Sequence, residues 1–340
     1  MRIAIVTDAW HPQRNGVVRV LSTLADTLRV MGHDVLVVEP GGFRTLPCPS
    51  YPEIPLALFP RGRVARVLEG FAPDVVHLPT EGPLGWAGRA WCLANGHPFT
   101  TAYHTKFPEY VRARTGAPLA WGYAVMRRFH APSAAVMCPS PSVLRELREW
   151  GFANAAEWSH GVDTATFRPQ PKDFLDLPRP LFMYVGRVAV EKNLPAFLEL
   201  DLPGSRMVVG DGPARAALMR RFPDVHWRIA NGDQELSRYF AAADCFVFPS
   251  LTDTFGLVML EALASGVPVA AFPVPGPVDV LAGQPVGMLD DDLAKAAVAA
   301  LAINPERCRE HARRHSWETV ARRFLDLVRP IGCERTKKFA

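Results

Sequence analysis

Short apolar runs alternate with segments of helical periodicity along the first half of the chain. Residues 2–7 and 35–38 are apolar runs that predict buried strands, and residues 17–30 between them repeat apolar positions at helical spacing. Two further runs, at 74–77 and 134–138, indicate more strands. Because strands alternate with helices and with short Gly or Pro breaks, the pattern predicts a doubly wound, parallel α/β sheet.

The same pattern restarts after a proline-rich stretch at residues 167–180, which reads as an interdomain linker. Beyond it we predict strands at 181–185, 206–209, 225–229 and 245–248, and helices at 234–242, 256–264, 293–301 and 317–328. This predicts two Rossmann-like domains, residues 1–168 and 169–315, that face each other across a cleft at the carboxyl ends of their strands. Residues 316–340 form a terminal helix expected to return to the first domain, followed by a basic tail.

Composition narrows the class of protein. The 340 residues are 49% apolar and 21% charged, which is typical of globular domains, and the apolar runs fall short of the ~20 residues that a bilayer crossing requires. A net charge of +4 gives no indication of a nucleic-acid partner. The six cysteines are widely spaced, and the chain starts directly in a strand, so we expect a cytoplasmic protein without a secretory signal.

The strongest chemical constellation lies at residues 249–268. A buried strand ends at Phe248, a loop carries Asp253, and Gly256 opens a helix whose free N–H groups and positive dipole favour a phosphate. Asp253 could accept hydrogen bonds from sugar hydroxyls, and Glu261 about two turns on could reach the ribose of a nucleotide. The alternative is an ordinary helix with Asp253 as its N-cap and Glu261 on a wet face.

A basic pair follows the first strand after the linker. Arg187 and Lys192 could clamp a diphosphate, which leaves with growing negative charge. The alternative is a surface turn with a solvated Glu191–Lys192 pair. After the next strand, Gly210 begins a tight turn that could bring backbone close to a ligand, although no third glycine completes a dinucleotide-binding fingerprint.

These segments resemble the retaining glycosyltransferases of the GT4 kind, which have the GT-B fold. Asp253 and Glu261 are similar to the acidic-x7-Glu motif of that family, and residues 186–193 to its G-R-x-x-x-E-K-N element, in which the Arg and Lys hold the donor diphosphate. The resemblance implies a nucleotide-sugar substrate with no cofactor and no essential metal. It implies a donor-binding set made of Gly16, Arg187, Lys192, Gly210, Asp253, Phe255, Gly256, Leu257, Val258 and Glu261.

The acidic run at residues 290–292 invites a divalent-metal interpretation. It directly precedes an Ala-rich helix, so capping and compensation of the helix dipole are the simpler explanation. We therefore predict no metal site.

Loops of the first half carry the expected acceptor side. Residues 7–18 are similar to the Gly-containing loop that GT4 enzymes present to donor phosphate and acceptor, with Asn15 and Gly16 in it; a plain Asn-Gly turn is the alternative. The segment from Tyr103 to Lys106 resembles the family's Y-H-T element, whose His contacts the transferred sugar. We therefore predict a catalytic set of His104, Asp253, Arg187 and Lys192, and an acceptor side of Asn15, Thr80, Glu81 and Tyr103. A lone structural histidine is the alternative for His104.

Residues 8–18 and 43–54 look like the GT4 branch that glycosylates diacylglycerol, near sulfoquinovosyl-, glucosyl- and certain mannosyltransferases. This resemblance implies transfer of a hexose, with retention, from UDP-glucose or a related UDP-sugar to a membrane lipid such as diacylglycerol. The alternatives are a GDP-mannose-dependent α-mannosyltransferase acting on a glycan or lipid-linked acceptor, and a non-catalytic sugar-nucleotide-binding protein.

Residues 106–148 carry seven basic residues and two acidic ones, interleaved with aromatics. Residues 120–129 would form a short amphipathic segment suited to a lipid interface. We therefore expect peripheral association with the inner face of a membrane; a solvated basic face whose aromatics pack on the core is the alternative.

Overall fold

The computed structural model describes residues 1–13, 15–48, 51–253 and 255–331, and the chain divides into two compact units. The first unit contains residues 1–159 and the described residues from Glu318 onward; the second contains His160–Trp317. Sequence periodicity places the first boundary at 168–169, whereas the structure divides at 159–160. The difference arises because Phe167 is buried in the core of the second unit. The predicted basic tail, at 334–340, lies outside the described residues.

The first unit is built on a six-stranded parallel sheet with the order β2-β1-β5-β6-β7-β8, and a separate antiparallel hairpin, β3-β4. Its strands are β1 (Arg2–Val6), β2 (Asp34–Val38), β3 (Thr45–Cys48), β4 (Tyr51–Ala57), β5 (Val75–Leu78), β6 (Thr100–Ala102), β7 (Val136–Cys138) and β8 (Ala155–Glu157). Its helices are α1 (Gly16–Val30), α2 (Arg61–Phe71), α3 (Pro83–Ala94), α4 (Phe107–Thr115), α5 (Leu119–His130) and α6 (Pro141–Glu149).

The second unit repeats this plan with a parallel sheet of order β11-β10-β9-β12-β13-β14. Its strands are β9 (Leu181–Val185), β10 (Ser205–Val209), β11 (His226–Arg228), β12 (Cys245–Phe248), β13 (Val269–Ala271) and β14 (Gly287–Leu289). Its helices are α7 (Pro195–Leu198), α8 (Arg215–Arg221), α9 (Asp233–Ala242), α10 (Leu257–Ala264), α11 (Pro277–Leu281), α12 (Leu293–Ala300) and α13 (Pro305–Arg313). The last helix, α14 (Trp317–Leu327), begins at the boundary and continues in the first unit.

Strand β9 shows why these sheets read as continuous apolar runs. Leu181, Met183 and Val185 face one hydrophobic cluster, while Phe182 and Tyr184 face another on the opposite side. Side chains alternate between the two faces of a strand, and helices cover both faces of a doubly wound sheet. Every position of the strand is therefore buried.

In each sheet the strand order reverses once, and ligands of open α/β sheets bind outside the carboxyl ends of the strands at that point. In the first unit the reversal lies between β1 and β5, and in the second between β9 and β12. The loops that follow these four strands contain most of the predicted site residues. Within the described residues, no helix is long and apolar enough to cross a membrane.

Asp244 binds the proline-rich stretch, residues 167–180, through hydrogen bonds and ion pairs. Its carboxylate accepts hydrogen bonds from Lys172 Nζ at 2.7 Å and from Leu181 N at 2.8 Å, and it also pairs with Arg179. Burial of this carboxyl opposes ionisation, but the hydrogen bonds from Lys172, Leu181 and Arg179 outweigh it and lower the pKa of Asp244. Asp244 therefore acts as an anionic anchor for the stretch.

Replacing Asp244 by Asn is expected to lower the free energy of unfolding by about 2 kcal/mol at pH 7, because a charge-assisted anchor is lost. A lowered pKa contributes stability above the ordinary value of 3.8 and loses it as the pH falls through the folded value. The gap between wild type and Asp244→Asn should therefore close in acid. Chemical denaturation at several pH values measures it, and a gap that widens in acid would contradict the assignment.

Candidate functional site

An ion pair joins the loops that follow β9 and β12. Lys192 Nζ lies 2.5 Å from Asp253 Oδ1, and both side chains are mostly buried. Next to it, Asn193 Nδ2 donates to the Pro249 carbonyl oxygen at 3.1 Å. The two motifs that the sequence places 61 residues apart thus meet at the switch point of the second sheet. This contact replaces the solvated Glu191–Lys192 pair considered as an alternative.

Helix α10 begins four residues after Asp253. Gly256 is its N-cap with φ 85°, a left-handed backbone conformation that a residue with a side chain adopts only under strain. Among the described residues, no side chain caps the helix. The N–H groups of Leu257 and Val258 and the positive end of the dipole therefore offer an anion site.

The two acidic residues of the motif are both withdrawn from bulk water. Asp253 is not the N-cap that the alternative interpretation required; its Oδ2 is buried and has no hydrogen-bond partner within the described part of the chain. Glu261, on α10, is only 4% exposed, so its placement on a wet face is wrong. A buried carboxylate oxygen such as Asp253 Oδ2 is costly unless hydrogen-bonded, and a sugar hydroxyl can supply the donor. Thr254, between Asp253 and the buried Phe255, lies outside the described residues.

Arg187 and Gly210 stand at neighbouring strand ends. The Arg187 side chain is exposed, and the Tyr184 hydroxyl donates to its carbonyl oxygen at 3.0 Å, which fixes the loop backbone. A Cβ at Gly210 would lie 1.9 Å from the Gly186 carbonyl oxygen. Gly210 is therefore required for two loops to touch, whether or not it also meets a ligand.

Asp8 lies at the switch point of the first sheet, although it is not among the site residues predicted from the sequence. Its carboxylate accepts from Leu84 N at 2.9 Å, Gly85 N at 3.3 Å and the Thr80 hydroxyl at 2.9 Å, while Thr80 Oγ1 accepts from Asp8 N at 2.8 Å. Burial raises the pKa of Asp8, and these hydrogen bonds partly oppose the rise. The Thr80 hydroxyl, predicted on the acceptor side, is thus held by Asp8.

The start of α1 is also capped by a side chain, that of Asn15. Asn15 Oδ1 accepts from Val18 N at 3.0 Å, and Asn15 Nδ2 donates to Gln13 Oε1 at 3.2 Å; Arg14 lies outside the described residues. Gly16 is the first residue of α1. Asn15 therefore caps α1, and Asp8 covers the start of α3. Side-chain acceptors thus meet the starts of α1 and α3, whereas no side chain among the described residues caps α7, which follows β9, or α10.

The other acceptor-side residues lie beside a buried polar network. Glu81 Oε1 is 3.1 Å from His130 Nε2, and Tyr103 is buried. Burial raises the pKa of Tyr103, so its phenol stays protonated. Nearby, Lys106 Nζ lies 2.5 Å from Glu146 Oε2, which ties the loop after His104 to α6.

The acidic run at 290–292 caps α12. Asp292 Oδ1 accepts from Lys295 N at 3.0 Å, and Asp290 Oδ2 lies 2.5 Å from Lys295 Nζ. These contacts are those expected of a helix cap with a compensating charge pair.

His104 follows β6 and is partly buried. Its ring meets Trp158 edge-on at 6.1 Å, and its Nε2 atom is buried. Desolvation lowers the pKa of His104 to about 4. The imidazole is therefore neutral near pH 7 and suited to hydrogen bonding rather than to donating a proton from a cationic ring.

We expect the His104 ring resonances to stay constant between pH 8 and pH 5 in NMR titrations, because protonation is deferred to a pKa of about 4. A lowered histidine pKa also means that stability falls as the pH drops below the ordinary 6.5 toward that value. A His104 midpoint near 6.5 would contradict the desolvated placement.

Comparisons with known proteins identify related glycosyltransferases. The model of Glycosyltransferase Family 4 matches residues 14–166, and that of Glycosyl transferases group 1 matches residues 179–303. A GDP-mannose-dependent alpha-mannosyltransferase of Mycobacterium tuberculosis is 31% identical over 100% of this chain and 99% of its own length. An alpha-monoglucosyldiacylglycerol synthase of Streptococcus pneumoniae is 27% identical over 95% of this chain and 83% of its own.

Among solved structures, the sucrose-phosphate synthase of Thermosynechococcus elongatus is similar with a TM-score of 0.74, at 20% identity, over 96% of this chain and 98% of its own. At that identity the likeness concerns the fold, which is GT-B with two Rossmann-like halves. The family models and the relatives identify a hexosyltransferase that uses a nucleotide sugar. The chain belongs to the GT4 family of retaining glycosyltransferases.

Proposed function

We propose that this protein transfers a hexose from a nucleoside diphosphate sugar to a lipid acceptor at a membrane surface, with retention of the anomeric configuration. The observation that carries the proposal is the Lys192–Asp253 ion pair, at 2.5 Å, beside the uncapped start of α10. A cation, free backbone N–H groups and a buried carboxylate oxygen converge there. These are the groups needed to bind a diphosphate next to a sugar.

Lys192, Arg187 and the N–H groups at the start of α10 hold the diphosphate and stabilise the charge that grows on it as it leaves. Asp253 Oδ2 accepts a hydrogen bond from a sugar hydroxyl, and Glu261 binds the ribose. Neutral His104 contacts the transferred sugar. In front-face transfer the departing phosphate oxygen takes the proton of the acceptor hydroxyl, so the protein contributes position and charge stabilisation.

GDP-mannose and UDP-glucose are the two donors to compare. The relative that matches this chain over its full length at 31% identity is named for GDP-mannose, which favours that donor. The relative at 27% is named as a monoglucosyldiacylglycerol synthase, which favours a glucosyl donor and a diacylglycerol acceptor.

The test is incubation of the purified chain with each radiolabelled donor and with diacylglycerol vesicles, followed by lipid extraction and assignment of the anomeric linkage by NMR. We expect one donor to yield an α-linked glycolipid. Label transferred only to a water-soluble glycan would contradict the lipid acceptor, and failure of both donors to bind in calorimetry would contradict the whole proposal.

The exposed face of α4 and α5 is the surface that we propose for the membrane. Phe107, Val111, Trp121 and Val125 are 38%, 48%, 71% and 60% exposed, next to the exposed Arg112 and Arg128. Tyr123 and Phe129 on α5 are instead buried in the core. Apolar side chains among cations suit an anionic lipid interface.

The double variant Trp121→Ser/Val125→Ser is expected to bind phosphatidylglycerol-containing vesicles about tenfold more weakly, because two apolar side chains no longer enter the interface. Co-sedimentation measures it. Val298→Ser, which changes a 49% exposed valine on α12, is the matched control. Equal binding of the double variant and the wild type would place the membrane contact elsewhere.

A further inference from the structure

The short segment by which the chain first crosses from one unit to the other carries two aromatic side chains. Trp158 lies at the end of the first unit, and His160 at the start of the second. Both are almost fully buried, at 1% and 5% exposure, and the ring contacts described below each join residues of a single unit. Their contacts can therefore be considered separately, one unit at a time.

On the first side, Trp158 supports His104. The indole meets the His104 ring edge-on at 6.1 Å, and Trp158 Nε1 donates to the Val320 carbonyl oxygen of α14 at 3.1 Å. Phe324, also on α14, packs against the indole at 5.9 Å and against His77 at 5.1 Å. His104 is thus backed by a ring whose own position is set by the last helix.

On the second side, His160 supports the donor loop. Its ring meets Phe255 edge-on at 5.2 Å. Phe255 is 4% exposed and immediately precedes Gly256, the N-cap of α10. A ligand bound at the start of α10 would therefore lie next to Phe255, which packs directly against His160.

The first residues of the second unit are closely packed within that unit. A Cβ at Gly161 would lie 3.0 Å from Trp317 N, and Val162 N donates to the His315 carbonyl oxygen at 2.9 Å. Trp317 is the first residue of α14, the helix that also holds Trp158. Close-packed contacts of this kind shift between discrete arrangements rather than deforming continuously.

We propose that the segment Trp158–His160 couples occupancy of the donor loop to the position of His104. A nucleoside diphosphate at the start of α10 selects one position of Phe255 and therefore of His160. Trp158, two residues before His160 in the chain, moves with it and sets the orientation of the His104 ring toward the sugar. Trp158 and His160 are positioning residues. The proposal rests on the proposed function for the identity of the ligand. Since coupling is reciprocal, a placed His104 in turn favours the nucleotide-bound loop.

The experiment observes His104 directly by histidine ring NMR, with its resonance assigned from its loss in His104→Ala. The probes are GDP and UDP without a sugar, so that no transferred hexose is present to touch His104. In the wild type, saturation with the nucleotide that binds is expected to shift the His104 resonance. In His160→Ala the nucleotide should bind within about threefold of wild type, and the shift at His104 should be lost.

His226→Ala is the matched control, because His226 is a histidine of the second unit that lies on β11, the edge strand of the sheet. It should keep the shift. If His160→Ala unfolds at a markedly lower temperature than the wild type, His160→Leu is used in its place, because leucine keeps the apolar volume of the side chain. Trp158→Phe and His160→Leu are each expected to lower kcat about tenfold, and together no further, because they interrupt one link.

The possible outcomes distinguish failure of the coupling from failure of the proposed function. Failure of both nucleotides to bind the wild type overturns the proposed donor site and the coupling together. Binding that leaves His104 unmoved, or that moves it equally in His160→Ala, overturns the coupling and leaves the proposed function standing.

Discussion

Replacing Lys192 by alanine is expected to lower kcat/KM for sugar transfer by about 10²- to 10³-fold, the usual effect of removing one preorganised donor to a developing anion. The ammonium group lies 2.5 Å from Asp253 and beside the start of α10, so its loss removes charge where the diphosphate departs. It also leaves the buried Asp253 carboxylate without its counter-ion. Initial-rate kinetics with the preferred donor measure the effect.

Lys295→Ala is the matched control for Lys192→Ala. Lys295 makes an ion pair of the same length, 2.5 Å, with Asp290 in the same unit, but its side chain is 70% exposed and caps no ligand site. Its removal should leave kcat/KM unchanged. Circular dichroism and thermal unfolding of both variants separate a lost catalytic charge from a lost fold. If Lys192→Ala retained wild-type activity, the donor site would lie elsewhere.

Replacing Asp8 by alanine is expected to cost the first unit about 3 kcal/mol of unfolding free energy. The change removes the acceptor of two backbone N–H groups at the start of α3 and of the Thr80 hydroxyl, and it leaves these donors buried. Asp8→Asn keeps one acceptor oxygen and should fall between alanine and wild type. Urea unfolding monitored by tryptophan fluorescence measures all three.

Asp26→Ala is the control for Asp8→Ala. Asp26 pairs with Arg29 at 2.8 Å on the surface of α1 and is 73% exposed, so its loss should change stability by less than about 0.5 kcal/mol. The pKa of Asp8 is raised by burial, so its contribution is fully present below the ordinary 3.8 and falls as the pH rises through the folded value. The gap between wild type and Asp8→Ala should narrow with rising pH. Equal stability of the two aspartate variants would contradict the capping role.

Elements with a uniform environment could be predicted closely from sequence. The apolar run at 181–185 is strand β9, and that at 245–248 is β12, because both faces of each strand are covered and proline or glycine marks the ends. The hairpin β3–β4 was not predicted as an element. Its strand β3 is exposed over Thr45–Pro47 and shows no apolar alternation, so periodicity carries no signal there.

The amphipathic segment at 120–129 shows how far pattern alone goes. The sequence predicts one helix with aromatics and arginines, and the structure has α5 at that place. Which aromatic turns inward is a matter of packing: Tyr123 stacks on Trp150 at 4.1 Å, while Trp121, two residues earlier, is exposed. The lipid-interface interpretation therefore describes the exposed side of α5, and the interpretation in which the aromatics pack on the core describes its buried side.

The sequence by itself determined the two parallel α/β units, the residues at the carboxyl ends of their strands, and the family to which those motifs belong. Only the tertiary structure decided that Lys192 meets Asp253 across 61 residues and that Asp8 reaches Leu84 across 76. It also decided that side chains meet the starts of α1 and α3, whereas none of the described side chains caps α10. The reason is that periodicity and helix signals are local properties of the chain. The order in which parallel strands pair, and therefore which loops become neighbours, is set by burial over the whole sheet.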